Sequence, residues 1–450
     1  MRFKFGEEVI GVWGALNVRA WFSLNAIERI SGIGRVSMDL DACRLPLARV
    51  VHRRGSASML RARGQTERDL KHDWARMEWL KCGLCDPPLH SGAAGCLRRF
   101  TFRLNCAGLA IVLLLAFAAV GHAAEPGWRI YATNESSGDL TVIDGGSGRV
   151  AATLPLGKRP RGIGAAPDGR WLYVALSGSP LASPGVDEST LPQPDRAADG
   201  IAVVDTATGK VDHVIRAISD PEQVAVDGVR GQLFVAGEDT GQAVIVDLLS
   251  GRVLARRDVG GQPEGVAVSP HGPIAAVTSE ADGTVALIDT RTHRILARLR
   301  VGERPRDAAF TPDGSLLLVT GELDDSLVVV DVAARKVARR LAVPGEGALP
   351  KGVAIAANGR HAYVTIGRGG RLVELDLGTW KFTRSVKVGQ RPWGVALSPD
   401  GRYAYTANGP SNDVSVVDTT TFEVVATVPV GKRPWGVAVV PGAWSPADVP

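Results

Sequence analysis

Cysteine and methionine are missing from most of this chain. The five cysteines all precede residue 107, and the four methionines all precede residue 78. The rest of the 450-residue chain therefore contains no disulfide, no thiolate metal site, no cysteine nucleophile and no covalent c-type haem. Aromatic residues are also scarce, at 6%, so the hydrophobic core has to be built from aliphatic side chains.

An excess of positive charge is missing from the same region. Residues 1–124 hold 18 Lys/Arg and 10 Asp/Glu, whereas residues 125–450 hold 34 and 37. The net charge of +5 therefore comes from the first part of the chain. The slightly acidic remainder argues against a partner such as nucleic acid, which would be bound through bulk positive charge.

Residues 97–124 have the composition of a secretory leader. They begin with arginines, continue with an apolar run from Cys106 to Val120 and end in small residues. This order predicts a signal peptide cleaved near Ala124, a periplasmic product and no stable membrane insertion after cleavage. The alternative is an uncleaved anchor. We interpret residues 1–96 as an extension from a start site assigned too early, or as a genuine extension of unknown role; the lone CGLC at 82–85 is too weak to predict a metal or redox site.

The chain from Trp128 onward consists of repeats with a period near 42 residues. One mark of the period is an aspartate that ends a β-branched run, at Asp144, Asp205, Asp247, Asp289, Asp331, Asp376 and Asp418. The second mark is a proline, at Pro160, Pro221, Pro263, Pro305, Pro350, Pro392 and Pro434. Both marks count seven units, and both place an insertion in the second unit, at about residues 178–198.

Each unit contains four short apolar or alternating runs separated by turn residues, as in WGVAVV, YAYTAN, DVSVVD and EVVATVPV. Four strands of five or six residues with tight turns account for the period. Residues 125–450 are therefore predicted to form an all-β, seven-bladed β-propeller of four-stranded antiparallel blades. The predicted mature chain begins at Trp128 with a second strand and ends after Trp435 with an inner strand, so the N- and C-terminal strands should pair in one blade and close the ring.

The repeats resemble those of the YVTN-repeat β-propeller family. YATN at 131–134, YVTI at 363–366 and YTAN at 405–408 carry the resemblance, together with PDGR at 399–402 and GKRPWGVA at 431–438. Within that group the chain looks most like secreted propellers associated with pyrroloquinoline-quinone (PQQ) dependent alcohol catabolism. The resemblance implies a periplasmic protein that accompanies quinoprotein dehydrogenases and is not itself one. We expect a monomer whose partner is a quinoprotein dehydrogenase or a cytochrome. It supplies no catalytic residues.

The loops that contain the repeated prolines are the candidate binding site, because in a propeller they open on one face. Five neighbouring loops are cationic and two are acidic, the latter through Asp220, Glu222 and Glu264. Guanidinium groups suit carboxylates and indoles suit planar rings, so PQQ itself is a candidate ligand. The predicted binding residues are Arg159, Arg161, Arg304, Arg306, Lys351, Arg391, Trp393, Arg433 and Trp435. Alternatively, these cations pair with blade carboxylates and the two tryptophans pack between blades.

Three functions remain open from the sequence. The first is a non-catalytic binding protein that holds a protein partner or a small anion. The second is a lactonase-like hydrolase with an acid pair on the propeller axis, although the sequence after residue 124 has no recognisable catalytic motif and its four histidines lie outside the proline loops. The third is an envelope scaffold. The repeated aspartates are expected to cap turns rather than to catalyse.

Overall fold

The computed structural model describes residues 127–181, 190–216 and 218–442. These residues form 28 strands in seven four-stranded antiparallel sheets, which confirms the predicted seven-bladed β-propeller. The predicted extension at 1–96 and the predicted signal peptide at 97–124 lie outside the described residues. Within the described part of the chain, no helix has the length and apolar character needed to cross a bilayer.

The blades are numbered here from the one that holds the first strand. Blade 1 contains β28 (Pro434–Pro441), β1 (Trp128–Asn134), β2 (Asp139–Asp144) and β3 (Val150–Pro155). Blade 2 contains β4 (Pro160–Ala165), β5 (Trp171–Leu176), β6 (Gly200–Asp205) and β7 (Lys210–Ile215). Blade 3 contains β8 (Pro221–Asp227), β9 (Gln232–Gly237), β10 (Gln242–Asp247) and β11 (Val253–Asp258). Blade 4 contains β12 (Pro263–Val268), β13 (Ile274–Ser279), β14 (Thr284–Asp289) and β15 (Ile295–Arg300).

The remaining three blades follow the same order from the inner to the outer strand. Blade 5 contains β16 (Pro305–Phe310), β17 (Leu316–Gly321), β18 (Ser326–Asp331) and β19 (Lys336–Ala342). Blade 6 contains β20 (Pro350–Ile355), β21 (His361–Ile366), β22 (Arg371–Asp376) and β23 (Lys381–Lys387). Blade 7 contains β24 (Pro392–Leu397), β25 (Tyr403–Asn408), β26 (Asp413–Asp418) and β27 (Glu423–Pro429). Each repeated proline is the first residue of an inner strand.

Blade 1 closes the ring as predicted, because its inner strand comes from the C-terminal end of the described chain. Strand β28 pairs antiparallel with β1, and Trp128 lies opposite Pro441 and Tyr131 opposite Ala438. Inner strands of consecutive blades contact each other all the way round, including β28 with β24 and with β4. The closed ring removes the free inner sheet edges that an open stack would have.

The core lies between neighbouring blades rather than inside one. Tyr131 and Leu140 of blade 1, for example, pack with Leu172 and Val174 of blade 2, and all four are buried. The middle two strands of each blade are apolar on both faces because each face meets a neighbouring blade. Because both faces of these strands are buried, the second and third runs of each unit are almost continuously hydrophobic.

The seven repeated aspartates cap turns, as predicted. Asp376 Oδ1 accepts hydrogen bonds from the backbone N–H and the hydroxyl of Thr379, at 2.6 and 2.9 Å. The other six carboxylates accept backbone N–H groups in the corresponding turns. The repeated aspartates therefore set the geometry of the turn into each outer strand.

A threonine in the second strand joins several blades to the next. The hydroxyl of Thr365 accepts a hydrogen bond from Gly352 N at 2.8 Å and donates to Trp393 O of the following blade at 2.8 Å. The inner strands come so close here that a Cβ on Gly352 would lie 2.4 Å from Trp393 O. Thr320 makes the equivalent bond to Lys351 O at 2.6 Å. With the bond from Thr133 to Arg161 O at 2.6 Å, these bonds fix the position of the residue that follows the proline in three blades.

Candidate functional site

The loops that enter the inner strands share one face with the loops between second and third strands. Glu135 N donates to Arg433 O at 2.9 Å, and Glu322 N donates to Arg304 O at 3.1 Å. The same backbone bond recurs between Glu238 N and Asp220 O at 3.0 Å. We call this side of the propeller the upper face. All nine predicted binding residues belong to its proline loops.

The backbone turns sharply before every repeated proline. All seven residues that precede these prolines have a positive φ of 42–57°: Arg159, Asp220, Gln262, Arg304, Leu349, Arg391 and Arg433. This left-handed conformation is uncommon for residues other than glycine. It is held in most blades by the backbone bond to the second-to-third-strand loop. As a result, successive residues of the loop point in different directions, and those after the proline turn inward.

The residues that follow the prolines converge on the propeller axis. We call them the axial ring: Arg161, Glu222, Glu264, Arg306, Lys351, Trp393 and Trp435. Five of them, although they come from five different blades, line one cavity of about 30 Å³. That volume suits a water molecule and is far too small for an organic ligand. The channel is therefore plugged by side chains at this level.

Three residues of the axial ring, Glu264, Arg306 and Lys351, belong to a buried ion network around Arg306. Its guanidinium group contacts the carboxylates of Glu264, Glu280 and Glu322. Lys351, which is 1% exposed, contacts Glu322 through its amine. Because each of these cations contacts carboxylates, neither is free to bind an anion through direct hydrogen bonds.

A second buried ion network surrounds Arg161. Its guanidinium group contacts Glu222 of the next blade, and Glu238 Oε2 lies 3.0 Å from its Nη1. Arg159 Nη2 lies 2.8 Å from Glu135 Oε1. The charges of Arg161 and Arg159 are therefore also compensated within the protein.

Four glutamates of these networks were missed by the sequence analysis. Glu135, Glu238, Glu280 and Glu322 each come directly after a second strand, in the segments ATNE, VAGE, VTSE and VTGE. The signal was present as a glutamate at one fixed position in four of seven repeats. It was overlooked because only the proline loops were compared. Because these glutamates pair with cations of the proline loops, fewer of the predicted cations are left to bind a ligand.

Burial shifts the protonation of the Arg306 network. Burial and the nearby Glu264 carboxylate raise the pKa of Glu280 to about 8. Glu280 and Glu264 are joined by a side-chain hydrogen bond, which together with the Arg306 charge favours the ionised form of Glu264. Burial and the Arg306 charge lower the pKa of Lys351 to about 7. Glu280 and Lys351 of this network therefore change their protonation state near neutral pH.

The remaining two residues of the axial ring, Trp393 and Trp435, have stacked indole rings. The rings of Trp393 and Trp435 have centroids 5.4 Å apart and planes 24° apart. The Lys351 amine lies 4.2 Å from the Trp393 centroid, and the Arg391 guanidinium carbon lies 5.4 Å from it. Trp435 is buried, whereas Trp393 is half-buried. The predicted tryptophans thus lie together, next to cations.

Two arginines beside these indoles lack a close carboxylate. Among the described residues Arg391 has no carboxylate oxygen within 4.0 Å, and Arg433 has only Glu135 Oε2, 3.7 Å from its Nε. Burial lowers the pKa of Arg391, and the positive charges of Arg306 and Arg433 act in the same direction. Arg304, by contrast, contacts Glu280, and its Nε also lies 3.5 Å from Oε2 of Glu322. Of the nine predicted residues, Arg391, Arg433, Trp393 and Trp435 therefore lie together outside the close ion pairs.

The insertion in blade 2 rises on the upper face, and part of it lies outside the described residues. Its described ends are fixed by Lys158, whose Nζ lies 2.6 Å from Asp195 Oδ2, and by Arg196, which contacts Asp239 of blade 3. A cleft of about 460 Å³ lies between this insertion and the upper loops of blade 1. A second cleft of about 410 Å³ lies between blades 4 and 5, beside Glu280 and Arg304.

The comparisons with known proteins support the fold. The family model described as "Cytochrome D1 heme domain" matches residues 312–436. Hydrazine synthase from Kuenenia stuttgartiensis is 21% identical with a TM-score of 0.55, covering 65% of this chain and 92% of that one. A provisionally assigned 6-phosphogluconolactonase from Bacteroides fragilis is 14% identical with a TM-score of 0.57, over 71% and 99%. Apo AztD from Citrobacter koseri is 15% identical with a TM-score of 0.50, over 70% and 99%. No curated protein matches.

The residues of the matched span do not fit a haem. Residues 312–436 contain no cysteine or methionine, and their one histidine is His361. That histidine begins a second strand away from the axial ring, and its Nδ1 lies 3.9 Å from Glu374 Oε2. Tyrosine can also bind haem iron, but Tyr363 and Tyr405 are buried in the core and Tyr403 packs against Trp128. An axial haem ligand has to face an open pocket. Within the described ranges, no group of three His, Cys, Asp or Glu side chains has the arrangement of a metal site.

Proposed function

We propose that this propeller is a non-catalytic binding protein that holds a planar, carboxylate-bearing ligand or a carboxylate on a partner protein. The binding group is formed by Arg391, Arg433, Trp393 and Trp435 on the upper face. The observation that carries the proposal is the contrast within one set of loops. The other predicted cations have close carboxylate partners in the protein, whereas Arg391 lies beside stacked indoles without one.

The chemistry of this group suits such a ligand in two ways. Guanidinium groups bind carboxylates through paired, charge-assisted hydrogen bonds. The half-buried indole of Trp393, which lies next to cations, suits a flat, electron-poor ring at its accessible edge. Because the axial cavity is only about 30 Å³, the ligand would lie on the upper face rather than in the channel.

Within this function we propose a periplasmic role in PQQ-dependent alcohol catabolism. The support is the resemblance of the repeats to that family, together with a site chemistry that matches the tricarboxylate PQQ. The partner would be a quinoprotein dehydrogenase or a cytochrome. Recovery of neither protein with the propeller from periplasmic extracts of cells grown on alcohols would count against this narrower role, but not against ligand binding itself.

The decisive experiment is a titration with PQQ, followed by tryptophan fluorescence. We expect the double variant R391A/R433A to bind PQQ at least about tenfold more weakly, a difference of about 1.4 kcal/mol. The control R294A/R360A removes the same charge from exposed arginines outside the proline loops and should bind normally. Equal affinity of the two variants would refute the site. A loss of folding stability in R391A/R433A alone would show that the two arginines are structural.

A hydrolase is the second candidate, because the structure does contain an acid pair. Glu264 and Glu280 share a hydrogen bond, and the pKa of Glu280 lies at about 8. Such a pair can divide general acid and base roles. Glu264, however, is buried beside a cavity that admits only water. Lactone hydrolysis that is abolished by the variant E280Q would establish this function in place of the first.

A further inference from the structure

The lower face, opposite the proline loops, carries an apolar corner on blade 3. Val229, in the turn between the first and second strands, is 85% exposed, and Leu249, in the turn between the third and fourth strands, is 98% exposed. The two turns are joined by a bond from Leu248 N to Gly231 O at 2.9 Å. Two large apolar side chains therefore project into solvent from adjacent turns of one blade.

Neither residue type is required by its turn. The position of Leu249 holds small, hydroxyl or charged residues in the other blades: Gly146, Ala207, Arg291, Ala333, Gly378 and Thr420. The position of Val229 holds polar residues in five of them: Asp168, His271, Asp313, Asn358 and Asp400. In blades 2, 5 and 7 that aspartate accepts a backbone N–H within the turn. Blade 3 thus has exposed apolar side chains at two turn positions where most other blades have polar or small residues.

The flank beside this corner is strongly basic. The outer strands of blades 3–6 (β11, β15, β19 and β23) carry ten Lys/Arg and one Asp/Glu, whereas those of blades 7, 1 and 2 (β27, β3 and β7) carry one and two. Two of these arginines donate to backbone carbonyls of a neighbouring blade, Arg257 to His293 O and Arg298 to Asp258 O, each at 2.5 Å, whereas Arg340 and Arg384 pair with carboxylates. The positive charge of the first two is therefore not cancelled by those contacts. Exposed Arg252 and Arg294 lie in the turns next to the corner.

We propose that the corner of blade 3 attaches the propeller peripherally to an anionic lipid surface. Val229 and Leu249 would enter the region between headgroups and acyl chains, and Arg252 and Arg294 would contact lipid phosphates. Cations alone would suit any polyanion, but they would not account for two projecting apolar side chains. An anionic bilayer supplies both chemistries at one plane. The basic flank would orient the protein during its approach.

The experiment is co-sedimentation with vesicles of phosphatidylcholine, with or without phosphatidylglycerol. The form used is residues 125–450, because the ring closes between Trp128 and Pro441 and the apolar run at 106–120 would itself bind lipid. We expect binding to the anionic vesicles that weakens as salt is added. Equal binding to neutral vesicles, or no binding to anionic vesicles at low salt, would overturn the proposal.

The informative variant is V229D/L249T, which gives blade 3 the residues of blade 7 at both positions. It should retain thermal stability and lose binding to anionic vesicles by about tenfold or more, as expected for two partly buried aliphatic groups. The control V150T/V425T changes two exposed valines on the outer strands of blades 1 and 7 and should bind normally. Unchanged binding of V229D/L249T would refute the corner as the attachment point.

A second pair of variants tests the role of charge. R252Q/R294Q removes two cations beside the corner, and K381Q/K387Q removes two from blade 6, on the far part of the basic flank. The first pair should weaken vesicle binding about tenfold or more, and the second only slightly. An equal effect of both pairs would mean that general positive charge, rather than this corner, attracts the lipid.

Discussion

The hydroxyl of Thr365 offers a direct test of how the blades hold the binding group in place. It bridges Gly352 N and Trp393 O, each at 2.8 Å. Valine has nearly the same shape but cannot form either bond. Leaving a buried donor or acceptor unpaired costs about 1–3 kcal/mol. Because two backbone groups lose their partner, T365V should lower the free energy of unfolding by about 2–4 kcal/mol.

The measurement is urea unfolding followed by circular dichroism, with T427V as the control. Thr427 lies on the exposed face of an outer strand, so its substitution should change stability by less than about 0.5 kcal/mol. Since Thr365 also positions the strand that carries Trp393, T365V should weaken PQQ binding as well. Equal stability of T365V and T427V would show that the threonine bridges do not join the blades, and that the position of Trp393 is set by packing alone.

Two further predictions concern protonation. The folded protein holds a proton on Glu280 up to about pH 8, although an unperturbed glutamate releases it near pH 4.5; this contribution to stability is full below pH 4.5 and lost as pH rises through 8. In urea melts E280Q should lack that decline, which is at most about 1.4 kcal/mol per pH unit, and an unchanged decline would contradict the assignment. Lys351 loses its charge near pH 7, so affinity for an anion beside Trp393 should fall as pH rises from 6 to 8. K351M should remove this pH dependence, and its persistence would exclude Lys351 as the cause.

The fold was predictable from the sequence because its marks act locally. A proline that begins an inner strand and an aspartate that caps a turn impose the same backbone geometry in every repeat, so counting them counts blades. Closure of the ring could also be predicted, since a series of repeats whose first unit lacks an inner strand needs one from its last unit. These inferences require no knowledge of which side chains meet.

The binding group was predictable only in part because charge pairing crosses between blades. The cations of the proline loops were identified, but Arg161 and Arg306 meet glutamates from other loops and other blades. Distances between such residues depend on the curvature of the ring, which no local pattern encodes. The corner of blade 3 was missed for a different reason: an exposed valine and leucine are unremarkable in a sequence until their exposure is known.

The pairing of β28 with β1 also constrains how the molecule can be assembled. Three strands of blade 1 precede all other described strands in the chain, but their fourth partner, β28, follows β1 by about 300 positions. Bringing such distant segments together carries an entropic cost that must be met before the final contacts form. Until then β1 presents an unpaired edge that another chain could occupy. A chain that stops before Pro434 would therefore expose the unpaired edge of β1, and we expect such a chain to pair with other chains or with chaperones at that edge.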